Sequence, residues 1–135
     1  MEYPMSAKKR PDIVVHQEDH EQLIDLALKA LGQAPGAATL LEEMERAKVV
    51  ESKSLPPTVL AMNDAAEFEY DGQTYRDFHL VWPNCADFVN GRISVLTPVG
   101  AALIGLSEGS SMWWPGQQGR VHRLTLNKVT PHRQH

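Results

Sequence analysis

The chain predicts an α+β fold: a short N-terminal antiparallel helical hairpin, then an antiparallel sheet with one short helix. Three observations carry this. Apolar residues recur at helical spacing in two stretches before residue 50, separated by Gly32-Gln33-Ala34-Pro35-Gly36. Past Pro56-Pro57 the period changes to two, with Phe68 and Tyr70 alternating with Glu67, Glu69 and Asp71. Gly91 to Leu106 then reads as a strand, a proline-marked turn and a short apolar helix. At 135 residues and 42% hydrophobic, the chain is long enough for one good core, or a small core with an appendage.

Residues 1–11 read as a loose leader, and Ile13-Val14-Val15 as a brief apolar segment packed at the base of the helices. Asp19 with Gln22 fits a capping box, with Asp in place of Ser or Thr. Leu23, Ile24, Ala27, Leu28 and Leu31 form one apolar helical face. A second helix runs from Ala37 to Ala47, with Leu40, Leu41, Met44 and Ala47 inward and Glu42, Glu43, Glu45 and Arg46 outward. The short Gly/Pro connection makes the pair antiparallel and coiled-coil-like. Residues 1–50 thus form the leader and hairpin, 51–58 a linker, and 59–135 a second domain with a short tail.

Within that second domain, Asp71-Gly72 is a hairpin-turn signal, and Tyr75, Phe78, Leu80 and Trp82 read as the returning strand. Ile93 and Val95 supply the next strand. Thr97 stands as N-cap directly before Pro98, at the first helical position where a missing N–H is harmless. Val99, Ala102, Leu103 and Leu106 come next at helical spacing, with Gly105 and Gly109 placed to end the helix. Ser111 to Trp114, then Val121, Leu124, Leu126 and Val129, supply the last strands, with Pro115-Gly116 and Gly119 turning the chain between them. Trp113 and Trp114 face opposite sides of their strand, one free for the core and one for a partner surface.

A net charge of −4 argues against a protein held mainly by nucleic-acid phosphates. From Arg120 onward, however, Arg120, Arg123, Lys128 and Arg133 occur with no carboxylate. This stretch reads either as a nucleic-acid contact or as a solvated basic strand and tail. Cys85 is the only cysteine, so no intrachain disulfide or cysteine cluster for zinc forms. Asn84-Cys85-Ala86-Asp87 shows no base that would activate it as a nucleophile. His16 and His20 are four residues apart, but Gln17 stands where a zinc-protease helix carries its glutamate base. A break before Asp19 would also spoil their geometry, and His122, His132 and His135 are scattered, so neither metal nor cofactor is expected. Lys8-Lys9-Arg10 leads into Pro11-Asp12 rather than an apolar stretch, and no apolar run spans a bilayer. The expectation is a cytoplasmic protein.

The same residues carry a resemblance. Arg10-Pro11-Asp12-Ile13-Val14-Val15, Leu55-Pro56-Pro57-Thr58-Val59 with Met62-Asn63, Val81-Trp82-Pro83 with Ala86-Asp87, and the Gly91–Leu106 block occur in order along most of the chain. Together they resemble the regulator of nucleoside diphosphate kinase family, a short-armed branch of the Gre transcript-cleavage factors. The resemblance implies an FKBP-like C-terminal domain and RNA polymerase as partner. In Gre-type factors a Ser-x-x-Ser-Pro loop contacts the rim of the polymerase secondary channel. The matching positions are Ser94, Thr97 and Pro98, with Thr keeping the hydroxyl of the second Ser. Asp87 and Arg92 flank that loop as charged rim contacts. Thr97-Pro98 would also cap a helix in any protein, and one residue can do both.

Gre factors carry acidic residues at the tip of a long coiled coil, where they help hold a second catalytic metal. Here the tip, Gly32 to Ala38, has no carboxylate. A first helix from Asp19 to Leu31 would span only about 20 Å at about 1.5 Å per residue. The implied function is therefore non-catalytic: binding polymerase near the secondary channel and competing with longer-armed factors, without stimulating cleavage. The family name records an effect on nucleoside diphosphate kinase, but the chain has no Gly-x-x-x-x-Gly-Lys phosphate loop. Three alternatives stand beside this reading. A peptidyl-prolyl isomerase would cradle proline among Tyr70, Tyr75, Phe78, Trp82, Trp113 and Trp114. A nucleic-acid-binding module would use the basic C-terminal stretch, and a generic adaptor would bind another protein.

Overall fold

In a computed structural model that describes residues 10–115 and 119–132, the first helix, α1 (Gln17–Ala30), begins ahead of Asp19. The expected Asp19 cap is thus corrected. His16 is the N-cap, held extended by strand β1 (Val14–His16), and its Nδ1 accepts the Asp19 N–H at 3.4 Å. Asp19 falls instead in the first turn, where its charge suits the helix dipole. The apolar face is also narrower than its pattern. Leu23 and Ala27 are buried, but Leu28 and Leu31 are 53% and 41% exposed, because helix α2 (Ala37–Arg46) covers only one stripe.

Helix α2 buries Leu40 and Met44 as expected, and Glu43 with them at 1% exposure. The outward placement of Glu43 is therefore overturned. Arg46 grips its carboxylate through two bonds, Nη2 to Oε1 at 2.6 Å and Nε to Oε2 at 3.0 Å. Arg10 Nη1 approaches Oε2 at 3.4 Å, while Arg10 Nη2 donates to Glu42 Oε1 at 2.9 Å. A carboxylate this buried is tolerable only when paired, and the guanidinium forks supply the pairing. Strand β2 (Lys48–Val50) then runs parallel to β1, Val15 opposite Val49. Three residues are too few for periodicity to reveal such a strand.

Strands β3 (Ala65–Tyr70) and β4 (Gln73–Val81) meet at Asp71-Gly72, whose φ values of 51° and 86° suit the tight hairpin turn. Asp77, at φ 57°, accompanies a bulge: Ala66 pairs with Phe78 but Phe68 with Tyr75. The extra residue brings Tyr75 and Phe78 to one face despite their odd spacing, and both rings pack on Phe68. Strand β5 (Arg92–Ser94), helix α3 (Pro98–Leu103), and strands β6 (Ser111–Pro115) and β7 (Val121–Thr130) complete the chain. The sheet order is β5-β4-β3-β7-β6. It is antiparallel except for β5, which runs parallel to β4 after the chain crosses back through two 3-10 turns at Pro83–Cys85 and Phe88–Asn90.

One core joins both parts of the molecule. Leu23, Ala27, Leu40 and Met44 of the hairpin share it with Phe68, Leu80, Val95, Leu103 and Leu126. A smaller cluster of Leu55, Val59 and Ala61 packs against Val14 and Val50 where the two parts join.

Candidate docking surface

The surface is built around the turn after β5. Ser94 is buried, and its Oγ accepts the Leu96 N–H at 3.0 Å. Thr97 Oγ1 donates to Ser94 O at 2.7 Å and accepts the Gly100 N–H at 3.0 Å, making Thr97 the N-cap of α3. Gly100 has to be glycine here, because a Cβ would collide with Ser94 O. Both hydroxyls are thus spent on the shape of the turn. Pro98 and Arg92 lie exposed at its surface, and Asp87 is half-buried beside them.

Asp87 and Arg92 come together through the backbone, each N–H donating to the other's carbonyl at 2.9 Å. Asn90 Nδ2 donates to Asp87 Oδ2 at 2.6 Å, and Gly91 at φ 78° closes the loop. The loop thrusts out an apolar pair the sequence reading passed over: Phe88 is 57% and Val89 92% exposed. Two apolar residues between Asp87 and Asn90 resemble a core fragment, so nothing local marks them as exposed. Beside Val89 lies a half-open apolar pocket of about 140 Å³, lined by Phe68, Tyr70, Tyr75, Phe88, Ile93 and Val99. Among the described residues of the aromatic set named for an isomerase pocket, Tyr70 and Tyr75 line it, and Phe78, Trp82 and Trp113 do not. On the other flank, Arg92, His79, His132 and the exposed Cys85 border an open cleft of 770 Å³.

The remaining sequence candidates are scattered. His16 Nε2 lies 3.1 Å from Asp19 Oδ2, while His20 Nε2 bonds to Met44 O at 2.9 Å. The two histidines therefore serve different partners, His16 as the cap of α1 and His20 within its first turns. Among the described residues no group of three His, Cys, Asp or Glu side chains is placed to hold a metal. Burial pushes the Asp19 carboxyl above its ordinary value, opposed by His16 and the Met62 N–H. The basic stretch is free of carboxylates in sequence but not in space. Asp71 accepts from the Arg123 N–H at 2.9 Å and meets His122 Nδ1 at 2.7 Å, and Glu108 accepts the Val129 N–H at 2.7 Å. Trp113 is half-buried; the side chain of Trp114, and Arg133 and His135, lie outside the described residues. No helix among the described residues is long and apolar enough to cross a membrane.

The tip of the hairpin lies on the same turn, the Gly36 N–H donating to Leu96 O at 2.8 Å. A short hairpin folded against a sheet-and-helix domain defines the class of protein. Residues 55–131 match the family model described as transcription elongation factor, GreA/GreB, C-term. Residues 11–50 match the model described as Rnk N-terminus. A solved structure titled prokaryotic transcription elongation factor GreA/GreB, from Nitrosomonas europaea, superposes with a TM-score of 0.69 at 35% identity, over 90% of this chain and 100% of that one. A regulator of nucleoside diphosphate kinase from Escherichia coli is 37% identical over 109 residues, 78% of this chain and 79% of the relative. The transcription elongation factor GreA of Thermodesulfovibrio yellowstonii is 34% identical over 74 residues, 54% of this chain and 47% of its own length. The chain belongs to the regulator of nucleoside diphosphate kinase family, whose C-terminal part is Gre-like.

Proposed function

We propose that this chain is a non-catalytic transcription regulator that docks on RNA polymerase near the secondary channel and competes there with Gre-type factors. The observation that carries the reading is the turn from Ser94 to Pro98. It sits in a domain matched to GreA/GreB, is held rigidly from within, and presents Pro98, Arg92 and the Phe88-Val89 knob outward. On this reading the sheet and α3 are the family's FKBP-like docking domain, residues 51–58 link it to the hairpin, and Ser94, Thr97, Pro98, Asp87 and Arg92 form or shape the contact.

Cleavage stimulation is not part of the proposal. The tip lacks the carboxylates that would hold a catalytic metal, and α1, at 14 residues, spans only about 21 Å. Competition needs no chemistry, only occupancy at cellular concentration. The effect on nucleoside diphosphate kinase that names the family would then arise from altered transcription in the cytoplasm. Any nucleic-acid contact by Arg120, Arg123 and Lys128 would arise within the polymerase complex.

The test is binding to purified core RNA polymerase with a full-length Gre factor as competitor. Mutual exclusion, with inhibition of Gre-stimulated cleavage and no cleavage by this chain alone, is expected. Absence of binding at micromolar concentration would sink the polymerase reading. Turnover in a peptide isomerisation assay would instead favour the enzyme alternative.

A further inference from the structure

We infer that the hairpin works inward: its tip braces the docking turn, and Gly36 is the positioning residue of that brace. The inference rests on the polymerase-docking reading for its consequence, but its structural content stands separately. Gly36 has φ −95° and ψ −1°, a conformation open to any residue, so backbone freedom is not why glycine is needed. Space is the reason. A Cβ on Gly36 would lie 2.5 Å from Thr97 O and 2.6 Å from its carbonyl carbon, and closer still to Leu96 O. Only a residue without a side chain lets the hairpin come near enough for the Gly36 N–H to reach Leu96 O at 2.8 Å.

The turn is therefore gripped from two sides. Gly100 closes on Ser94 O from within α3, and Gly36 closes on Leu96 and Thr97 from the hairpin. The footing of the second grip is firm, because Ala37 and Leu40 are fully buried and α2 packs on α3. A turn fixed in this way loses little conformational freedom on binding, which favours affinity without adding a contact. The same contact gives the hairpin a different task from a projecting arm. While the tip is bonded to Leu96, it cannot extend into a channel.

A second tip glycine supplies the control. Gly32 has φ +78° and nothing within 4 Å of a Cβ, so alanine there strains the backbone but pushes on nothing. Gly36→Ala does the reverse, displacing the turn or the tip by roughly 1 Å to relieve the overlap. Docking constellations tolerate only about 0.5 Å of such looseness.

The experiment compares Gly36→Ala, Gly32→Ala and the unaltered protein by amide hydrogen exchange and by affinity for core RNA polymerase. Gly36→Ala should speed exchange at Thr97 and Gly100 and weaken polymerase binding about tenfold or more. Gly32→Ala should lower thermal stability yet leave exchange in the turn unchanged and affinity within about twofold. Unchanged exchange at Thr97 and Gly100 in Gly36→Ala would overturn the brace. Equal weakening of binding by both variants, in proportion to stability lost, would overturn it as well. Should Gly36→Ala fail to fold, the unaltered protein decides: a Gly36 amide protected like Thr97 supports the brace, and one exchanging as freely as exposed amides refutes it. If the unaltered protein does not bind polymerase, the docking reading fails alone, and the exchange data still judge the brace.

Discussion

The docking turn and the hairpin lying on it are held by opposite kinds of contact. Inside the turn every side-chain bond spans two or three residues: Leu96 to Ser94, Thr97 to Ser94, Gly100 to Thr97. Besides local pairs such as Arg46–Glu43 and Lys29–Asp25, the hairpin depends on partners far away in sequence. Arg10 reaches Glu42 and Glu43, His20 reaches Met44 across 24 residues, and Gly36 reaches Leu96. The side-chain bonds that shape the turn are thus local, while its position is braced from the hairpin. The hairpin acquires its position only once the whole chain has folded.

The largest effect should come from the hairpin's buried carboxylate, which joins a local partner, Arg46, to a distant one, Arg10. Glu43→Ala would leave Arg46 and Arg10 without their shared buried carboxylate, and a loss of about 3 kcal/mol in urea unfolding is expected. A loss below about 1 kcal/mol would show that the pair behaves like a surface ion pair, and the contrast between the two regions would collapse.

Thr97→Ala should cost about 1–2 kcal/mol, since the cap to Gly100 and the bond to Ser94 O go together. Thr97→Ser keeps the hydroxyl and should recover most of that loss. If serine rescues stability but not polymerase affinity, the threonine methyl contacts the partner directly.

A smaller effect with a pH signature is expected at Asp71. Burial pushes its carboxyl up, but the His122 side chain, the Arg123 N–H and the charge of Arg120 outweigh this and hold it below its ordinary value. A carboxylate depressed in the folded state contributes stability above its unfolded value of about 3.9, and loses it as pH falls through the folded one. Asp71→Asn should therefore lower the urea midpoint at pH 7, and the gap should close as pH falls below the ordinary carboxylate range. A gap that persists in acid would mean the site stabilises through packing of the turn rather than charge.

Least of all should Val89→Ser disturb the fold, because the residue is 92% exposed; a change within about 0.5 kcal/mol is expected. If the Phe88-Val89 knob belongs to the docking surface, the same substitution will weaken polymerase binding measurably. Unchanged binding would confine the contact to the Pro98 side.

Much of the turn was legible in the residues. Thr97-Pro98 followed by small and apolar residues specifies an N-capped helix by rules that act over one turn, and α3 starts at Pro98 as expected. Asp71-Gly72 and the alternation around Phe68 were readable for the same reason. The bulge at Asp77 was not, because an inserted residue breaks the period that identifies a strand. The orientation of Glu43 escaped too. An i,i+3 pair of Glu43 with Arg46 reads as an ordinary solvated ion pair, and nothing local shows that Arg10, 33 positions earlier, joins it over a buried site.

Local chemistry in the chain alone was enough for the hairpin, the strand period, the capped helix and the absence of carboxylates at the tip, since each depends on neighbours within a few bonds. Assembly settled the rest. It made β5 parallel to β4, exposed Phe88 and Val89, and laid Gly36 on Leu96. These outcomes depend on which surfaces meet and how closely, and a one-dimensional pattern holds no record of the space left between two backbones.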